Sequence, residues 1–421
     1  MESSLSTRTP SARRSRHREA GPWFDVARAA ALALLLLATA SASAQGPPCL
    51  PCIGVVTDDP AKLAAVLAVP PRVAGEARLY IAWDVAVAWD VASNAASSEA
   101  VAATAQAVRD AGARPWLRLI FETPRPLDEH REELAQELEA AAGLARAAGE
   151  HAHFQILWQP KEPPAEGDAA AVAPVPAEGA QAPPEDYARL FQQATAVLAA
   201  AHPGAPVISR ALDPDPEQLH RHQPELLATS GRGIALDPRS PAGLAELEPS
   251  VGRLAELGPR RPVVVDAIPW PDDPREVLVL AARSAEAKLS LLFFRLAKGQ
   301  TETLAPEDLT PLELLAREFQ GGGFLDQRQR PAGGEEAWSF LHGEAGRLRT
   351  VVRLGAAKGG EMLRFSDPHL GDPVVLDLAT GEARPVPGIR RTEEELLVPL
   401  ATDDPVTLLV FPETAVGSSG G

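Results

Sequence analysis

The chain has 421 residues, 45% of them hydrophobic and 23% charged, which is ordinary for a globular protein and long enough for two separate cores. Its formal net charge of −17 sets aside a nucleic-acid binder, which would carry a basic face. Such a surface suits a neutral sugar better than a polyanionic one.

The N-terminus reads as an export signal over residues 1–44. Arg13, Arg14, Arg16 and Arg18 precede an Ala/Leu-rich run from Ala29 to Ala40. That run is shorter than the ~20 apolar residues that span a bilayer. Ala42-Ser43-Ala44 is a small-residue cleavage site that would leave Gln45 as the mature start. The expected location is secreted or periplasmic, with no stable membrane insertion after cleavage; an uncleaved anchor is the alternative. Cys49 and Cys52 are the only cysteines, spaced Cys-x-x-Cys just past that point. In an oxidising compartment they are expected to close a small disulfide loop. A redox motif would need a thioredoxin-like strand and helix N-terminus, and here a Pro-rich segment leads in. Two cysteines cannot make a structural zinc site alone.

After Cys52, short apolar runs alternate with longer amphipathic ones. The runs Ile53–Val56, Ala77–Trp83, Trp116–Phe121, Phe154–Trp158, Pro206–Leu212, Gly233–Leu236, Pro262–Ile268 and Leu289–Leu296 are eight candidate strands. Helical spacing falls between them, over Ala100–Ala111, at Leu134, Leu138 and Leu144, at Tyr187, Leu190, Phe191, Ala194 and Leu198, and more weakly at Leu219, Leu226 and Leu227. Near-continuous apolar strands imply a sheet covered on both faces. Eight of them predict a (β/α)8 TIM barrel over residues 45–325. A nucleotide-binding open sheet would carry a glycine-rich first turn, and Thr57-Asp58-Asp59-Pro60 has none. Residues 163–184 are Pro/Ala/Glu/Gly-rich and aperiodic, a long loop on the face where barrel active sites are built, either a lid or a neutral insertion.

Past Gly321-Gly322-Gly323 the pattern becomes short and alternating. Ala337–Leu341, Arg347–Leu354, Glu361–Phe365, Val374–Leu378, Glu395–Leu400 and Val406–Phe411 read as strands of a small all-β sandwich over 334–413.

The chemistry of interest sits at two strand ends. The fourth strand empties into Trp158-Gln159-Pro160-Lys161-Glu162-Pro163, and the seventh ends Val263-Val264-Val265-Asp266. Retaining glycoside hydrolysis needs two carboxyl groups ~5–5.5 Å apart, one donating a proton and one attacking the anomeric carbon. Trp158 to Pro163 resembles the Trp-Asn-Glu-Pro at the end of strand four in clan A glycoside hydrolases, and Arg261 to Asp266 resembles their strand-seven run. Glu185 to Phe191 and His202 to Ile208 are similar to the helix and strand that follow the catalytic acid. The resemblance is to family 39-like and family 5-like barrels with a C-terminal β-sandwich. It implies Glu162 as acid/base and Asp266 as nucleophile in a secreted carbohydrate-active protein, with Asp237 or Glu122 as substitutes.

The departures are specific. Pro160 stands where the acid belongs, and Glu162 lies two residues late. Asp266 is one methylene shorter than the family's Glu, and Leu236-Asp237-Pro238-Arg239 replaces the aromatic pair after strand six. Losing a general acid costs ~10²–10⁴-fold in rate. The alternative reading is therefore a catalytically inactive barrel that serves as a glycan-binding or structural, interacting protein. Trp83, Trp158 and Trp270 at strand ends would either stack on a sugar or cap the core. Asp84, Glu122 and Gln159 would either hydrogen-bond sugar hydroxyls or face solvent. Arg118 and Arg295, inside apolar strands, need partners and predict an ion pair within the barrel. His151 and His153 precede strand four, on the face away from catalysis. His220 and His222 at i, i+2 do not face one metal. No metal or cofactor is expected; the expected partner is an oligo- or polysaccharide.

Overall fold

A computed structural model describes residues 52–67, 79–87, 91–161, 183–215, 219, 221–222, 233–238, 244, 247–256, 262–319, 323–329, 336–342, 347–353, 362–366, 368–399 and 405–412. The eight apolar runs are all strands. They are β1 (Cys52–Val56), β2 (Leu79–Ala86), β3 (Arg114–Phe121), β4 (His153–Trp158), β5 (Val207–Leu212), β6 (Gly233–Leu236), β7 (Val263–Pro269) and β8 (Leu291–Arg295). They pair in parallel in chain order, and β8 closes onto β1 from Cys52↔Leu291 to Val56↔Arg295. The expected closed barrel is present.

Each strand alternates with period two. On β2, Ile81, Trp83 and Val85 turn outward into the main core, while Tyr80 and Ala82 turn inward and pack with Trp116, Ile208, Val264 and Phe293. β1 contributes Gly54 to this interior, because the Phe293 ring fills the space its Cβ would need, with a ring carbon 2.0 Å away. The outward face is covered by α1 (Pro60–Leu67), α2 (Val91–Asp110), α3 (Arg131–Ala148), α4 (Pro184–Ala201), α5 (Leu247–Glu256), α6 (Glu276–Glu286) and α7 (Pro306–Phe319). The periodicity pointed to α2, α3 and α4; of the weaker helix around Leu219, residues 223–230 lie outside the described residues.

α6 escaped the periodicity for a physical reason. Val277, Leu278, Val279, Leu280, Ala281 and Ala282 are six consecutive buried residues, so only Glu276, Arg283 and Glu286 are left to mark a polar side. A helix buried over most of its surface needs cover on more than one side, and the C-terminal domain supplies the second cover. Its larger sheet has the order β14-β13-β17-β11-β10-β9, built from β9 (Gly323–Gln329), β10 (Glu336–His342), β11 (Arg347–Arg353), β13 (Val374–Leu376), β14 (Ala383–Pro385) and β17 (Val406–Val410). A smaller sheet joins β12 (Met362–Phe365), β16 (Leu396–Pro399) and β15 (Arg390–Arg391).

One face of the larger sheet sends Trp338, Phe340, Val351, Val406 and Leu408 into the barrel's helical core. The other sends Ala337, Leu348, Val352 and Leu409 against Leu363, Phe365, Leu396 and Val398 of the smaller sheet. The expected sandwich is therefore docked on the barrel by the same alternation that builds it. β9 pairs with β10, so position 325 falls inside a strand of the sandwich rather than at the end of the barrel. Arg283 and Glu336 pair at 2.7 Å across the seam, and Trp338 Nε1 donates to Glu286 at 3.3 Å. Among the described residues no helix is long and apolar enough to cross a membrane.

Candidate functional site at the barrel mouth

The inward parity that places Tyr80, Trp116, Ala235, Val264 and Phe293 in the lumen carries upward to polar residues. Two positions further on from Trp116, Ala235, Val264 and Phe293 stand Arg118, Asp237, Asp266 and Arg295; Asp84 stands four beyond Tyr80, and Gln155 on β4 joins them. Six strands thus contribute one polar layer at the C-terminal rim, the face on which barrel active sites are built. The expected ion pair inside the barrel is here. Arg118 places Nη1 3.1 Å from Asp84 Oδ1 and Nη2 3.5 Å from Asp266 Oδ2. Gln155 Nε2 donates to the same Asp266 oxygen at 3.4 Å and to the Ser209 carbonyl at 3.2 Å.

Asp266 is only 8% exposed and Arg118 only 6%. Burial of either charge is tolerable because the other is present. The cluster is still not saturated. Asp266 Oδ1 is buried without a hydrogen-bond partner, and so are Arg118 Nε and Nη1, since the contact to Asp84 is close but not aligned as a hydrogen bond. Asp84 is about half exposed at the rim. Arg295 is also exposed there. Its pKa is lowered, first by desolvation and then by Arg118, with Asp266, Asp84 and Asp237 opposing; a guanidinium so placed stays charged.

At the end of β4 the chain stays on the sheet for three more residues. Trp158 ends the strand, and Gln159 and Lys161 continue along β3 by bonding their N–H groups to Phe121 O and Glu122 O. The Glu122 carboxylate is ion-paired with Lys161. Behind it, Glu137 of α3 reaches up and accepts from the backbone N–H groups of Glu122 and Thr123 and from the Thr123 hydroxyl. Burial raises the Glu137 pKa against those bonds. Glu162 and the loop after it lie outside the described residues, as does Cys49; Cys52 opens β1 at the opposite end of the barrel.

Trp83, Trp158 and Trp270 are each less than a tenth exposed and belong to the outward core, so none offers a ring face to a sugar. Odd parity on β2 and even parity on β4 turn Trp83 and Trp158 away from the lumen. Trp158 Nε1 is bonded to Thr123 O, and Trp270 packs edge-on against Phe294 at 5.7 Å. Gln159 is exposed, whereas Asp237 follows β6, half buried and close enough to act on Arg295. Gln155 was not singled out by sequence, although an amide in an otherwise apolar strand is the available signal. Among the described residues there is no group of three or more His, Cys, Asp or Glu side chains suited to a metal ion.

Comparison with solved structures places the fold. The chain is similar to a glycoside hydrolase family 30 subfamily 8 xylanase from Clostridium acetobutylicum, with a TM-score of 0.54, 12% identity, and 88% of this chain and 98% of that one covered. It is similar to the same degree to a bifunctional glucanase-xylanase from a metagenome library, with a TM-score of 0.54, 11% identity, and coverage of 87% and 97%. No protein-family model and no curated protein sequence matches the chain. The shared property is the fold: a parallel eight-stranded barrel carrying an antiparallel β domain.

Proposed function

We propose that this chain is an exported, glycoside-hydrolase-like barrel protein that binds carbohydrate at its mouth without hydrolysing it. The observation that carries this reading is the company Asp266 keeps. The inward position of β4 beside it is an amide, Gln155, and its outer oxygen is shared between that amide and Arg118. Two flanking carboxyl groups are what the hydrolytic reaction requires. Here the carboxylate nearest in this bonding scheme, Asp84, is reached only through the Arg118 guanidinium, which occupies the space between them. Rim groups Asp84, Asp237 and Arg295 supply hydrogen-bonding capacity for sugar hydroxyls. The basic and apolar N-terminal run supports export.

A second reading is favoured by one atom. Asp266 Oδ1 is buried and unpartnered at the position of the expected nucleophile. In that reading Asp266 attacks the anomeric carbon, and Glu162 donates the proton to the leaving oxygen and later takes one from water. Glycan-array binding combined with a hydrolysis screen of the wild type, Asp266→Asn and Glu162→Gln separates the two. Binding without turnover, weakened in Asp266→Asn, is expected. Turnover in the wild type that disappears in both variants would replace the first reading by the second.

A further inference from the structure

A cleft lies on the other face of the barrel, at the N-terminal ends of β3, β4 and β5. It measures about 600 Å³ and is walled by Arg114, Arg146, Glu150, His151, His153 and His202, with the Gly149 and Pro203–Pro206 backbone between them. Five of those six side chains are basic, on a chain whose net charge is −17. Among the described residues neither Arg114 nor Arg146 has a carboxylate partner. We propose that this cleft binds a small phosphate-bearing ligand, its phosphate held by Arg114 and Arg146 together with the histidines.

The bland account is that cations gather here to meet the carbonyl ends of α3 and α4, where the helix dipole favours them. The α3 end is already met. Arg109 Nη1 donates to Ala148 O, and His202 Nε2 donates to Gly149 O at 2.7 Å. Among the described residues neither Arg114 nor Arg146 donates to a carbonyl at either helix end.

Two further facts fit an anion, beside His151, whose φ of 66° is a left-handed turn conformation that Lys288 shares at 60°. His202, fixed through Nε2, keeps a buried Nδ1 with no hydrogen-bond partner. His153 packs at a tilt against both Tyr80 and Trp116 at 4.8 and 5.2 Å, and its pKa is lowered to about 4, first by burial and then by Arg114, His151 and His202. A cluster that repels its own protons is relieved by a bound oxyanion. Guanidinium forks match a phosphate's geometry. The volume exceeds that of the bare ion and falls within the ~300–1,000 Å³ of small-molecule sites, so the phosphate would carry an organic remainder.

The test is calorimetric titration of the full chain with inorganic sulfate, inorganic phosphate and a hexose monophosphate at fixed ionic strength. Sulfate keeps its charge across the pH range and isolates the protein's own titration. The groups facing His153 are Arg114, Arg146, Glu150, His151, His202 and the Tyr80 ring. Binding raises the His153 pKa, so sulfate should bind more tightly at pH 5 than at pH 8. Arg114→Gln should weaken sulfate roughly tenfold, the worth of one charge-assisted bond. His151→Gly keeps the left-handed backbone without strain, so it should lower affinity without lowering Tm. A hexose monophosphate that binds more tightly than inorganic phosphate identifies an organic ligand; equal affinity identifies the free ion. No saturable binding, or affinity unchanged in Arg114→Gln and His151→Gly, overturns the proposal.

Discussion

Arg118 on β3 and Asp266 on β7 meet across the lumen at 3.5 Å, each almost fully buried. The two strands are not neighbours in the sheet, so this pair exists only because the barrel closes. Removing one partner of such a pair typically costs about 3–5 kcal/mol, because it strands the other charge. Arg118→Met should therefore destabilise the protein by that order in urea denaturation. Arg118→Met combined with Asp266→Leu should recover most of the loss. A double variant as unstable as the sum of the single changes would mean that the pair is not coupled.

Glu137 predicts a pH dependence. Its pKa is raised above the ordinary 4.5, chiefly by burial. The folded state therefore holds that proton to higher pH than the unfolded chain does. The contribution is fully present below the ordinary Glu value and is lost as pH rises through the raised one. Glu137→Gln removes this slope. It also turns an NH₂ donor toward the Thr123 and Glu122 donors, which should cost about 1–3 kcal/mol. Stability curves of both proteins between pH 4 and pH 8 check both parts.

The tryptophans give a prediction that separates core from platform. Trp270 is packed on Phe294 and Trp158 is bonded to Thr123. Trp270→Phe should lower stability by about 1–3 kcal/mol and leave glycan affinity within twofold of wild type. A large loss of glycan binding at unchanged Tm would put a ring face back in the site.

Trp338 tests whether barrel and sandwich unfold together. It is fully buried in the seam, with Arg283 5.7 Å from its ring centroid and Glu286 accepting its N–H. Trp338→Ala should cost about 3–5 kcal/mol. Calorimetry should then show the single wild-type transition broadening or splitting into two. A variant that still unfolds in one sharp step would show that the seam is not what couples the domains.

Much of the architecture was legible because burial on two faces leaves a mark in composition. The runs around Val55 and Val264 are apolar at consecutive positions, those around Leu119 and Ile156 are broken only by Arg118 and Gln155, and each is a barrel strand. Alternation at Ala337–Leu341 and Val406–Phe411 marked the sandwich for the same reason. α6 stayed hidden because its second covering surface comes from β9 and β11, far later in the chain, which no local window contains.

Residue identity alone thus determined which segments must be covered by protein and which single charges, Arg118 and Arg295, would need compensation inside an apolar strand. What those charges meet was decided by closure. Side-chain parity in a strand is local, but which residues share a lumen layer depends on the stagger of eight strands around a ring. That stagger set Gln155 and Arg118 against Asp266 and turned Trp83 and Trp158 into the helical shell. It also left the basic groups around His153 facing one another at the opposite end, where only the folded chain brings β3, β4 and β5 together.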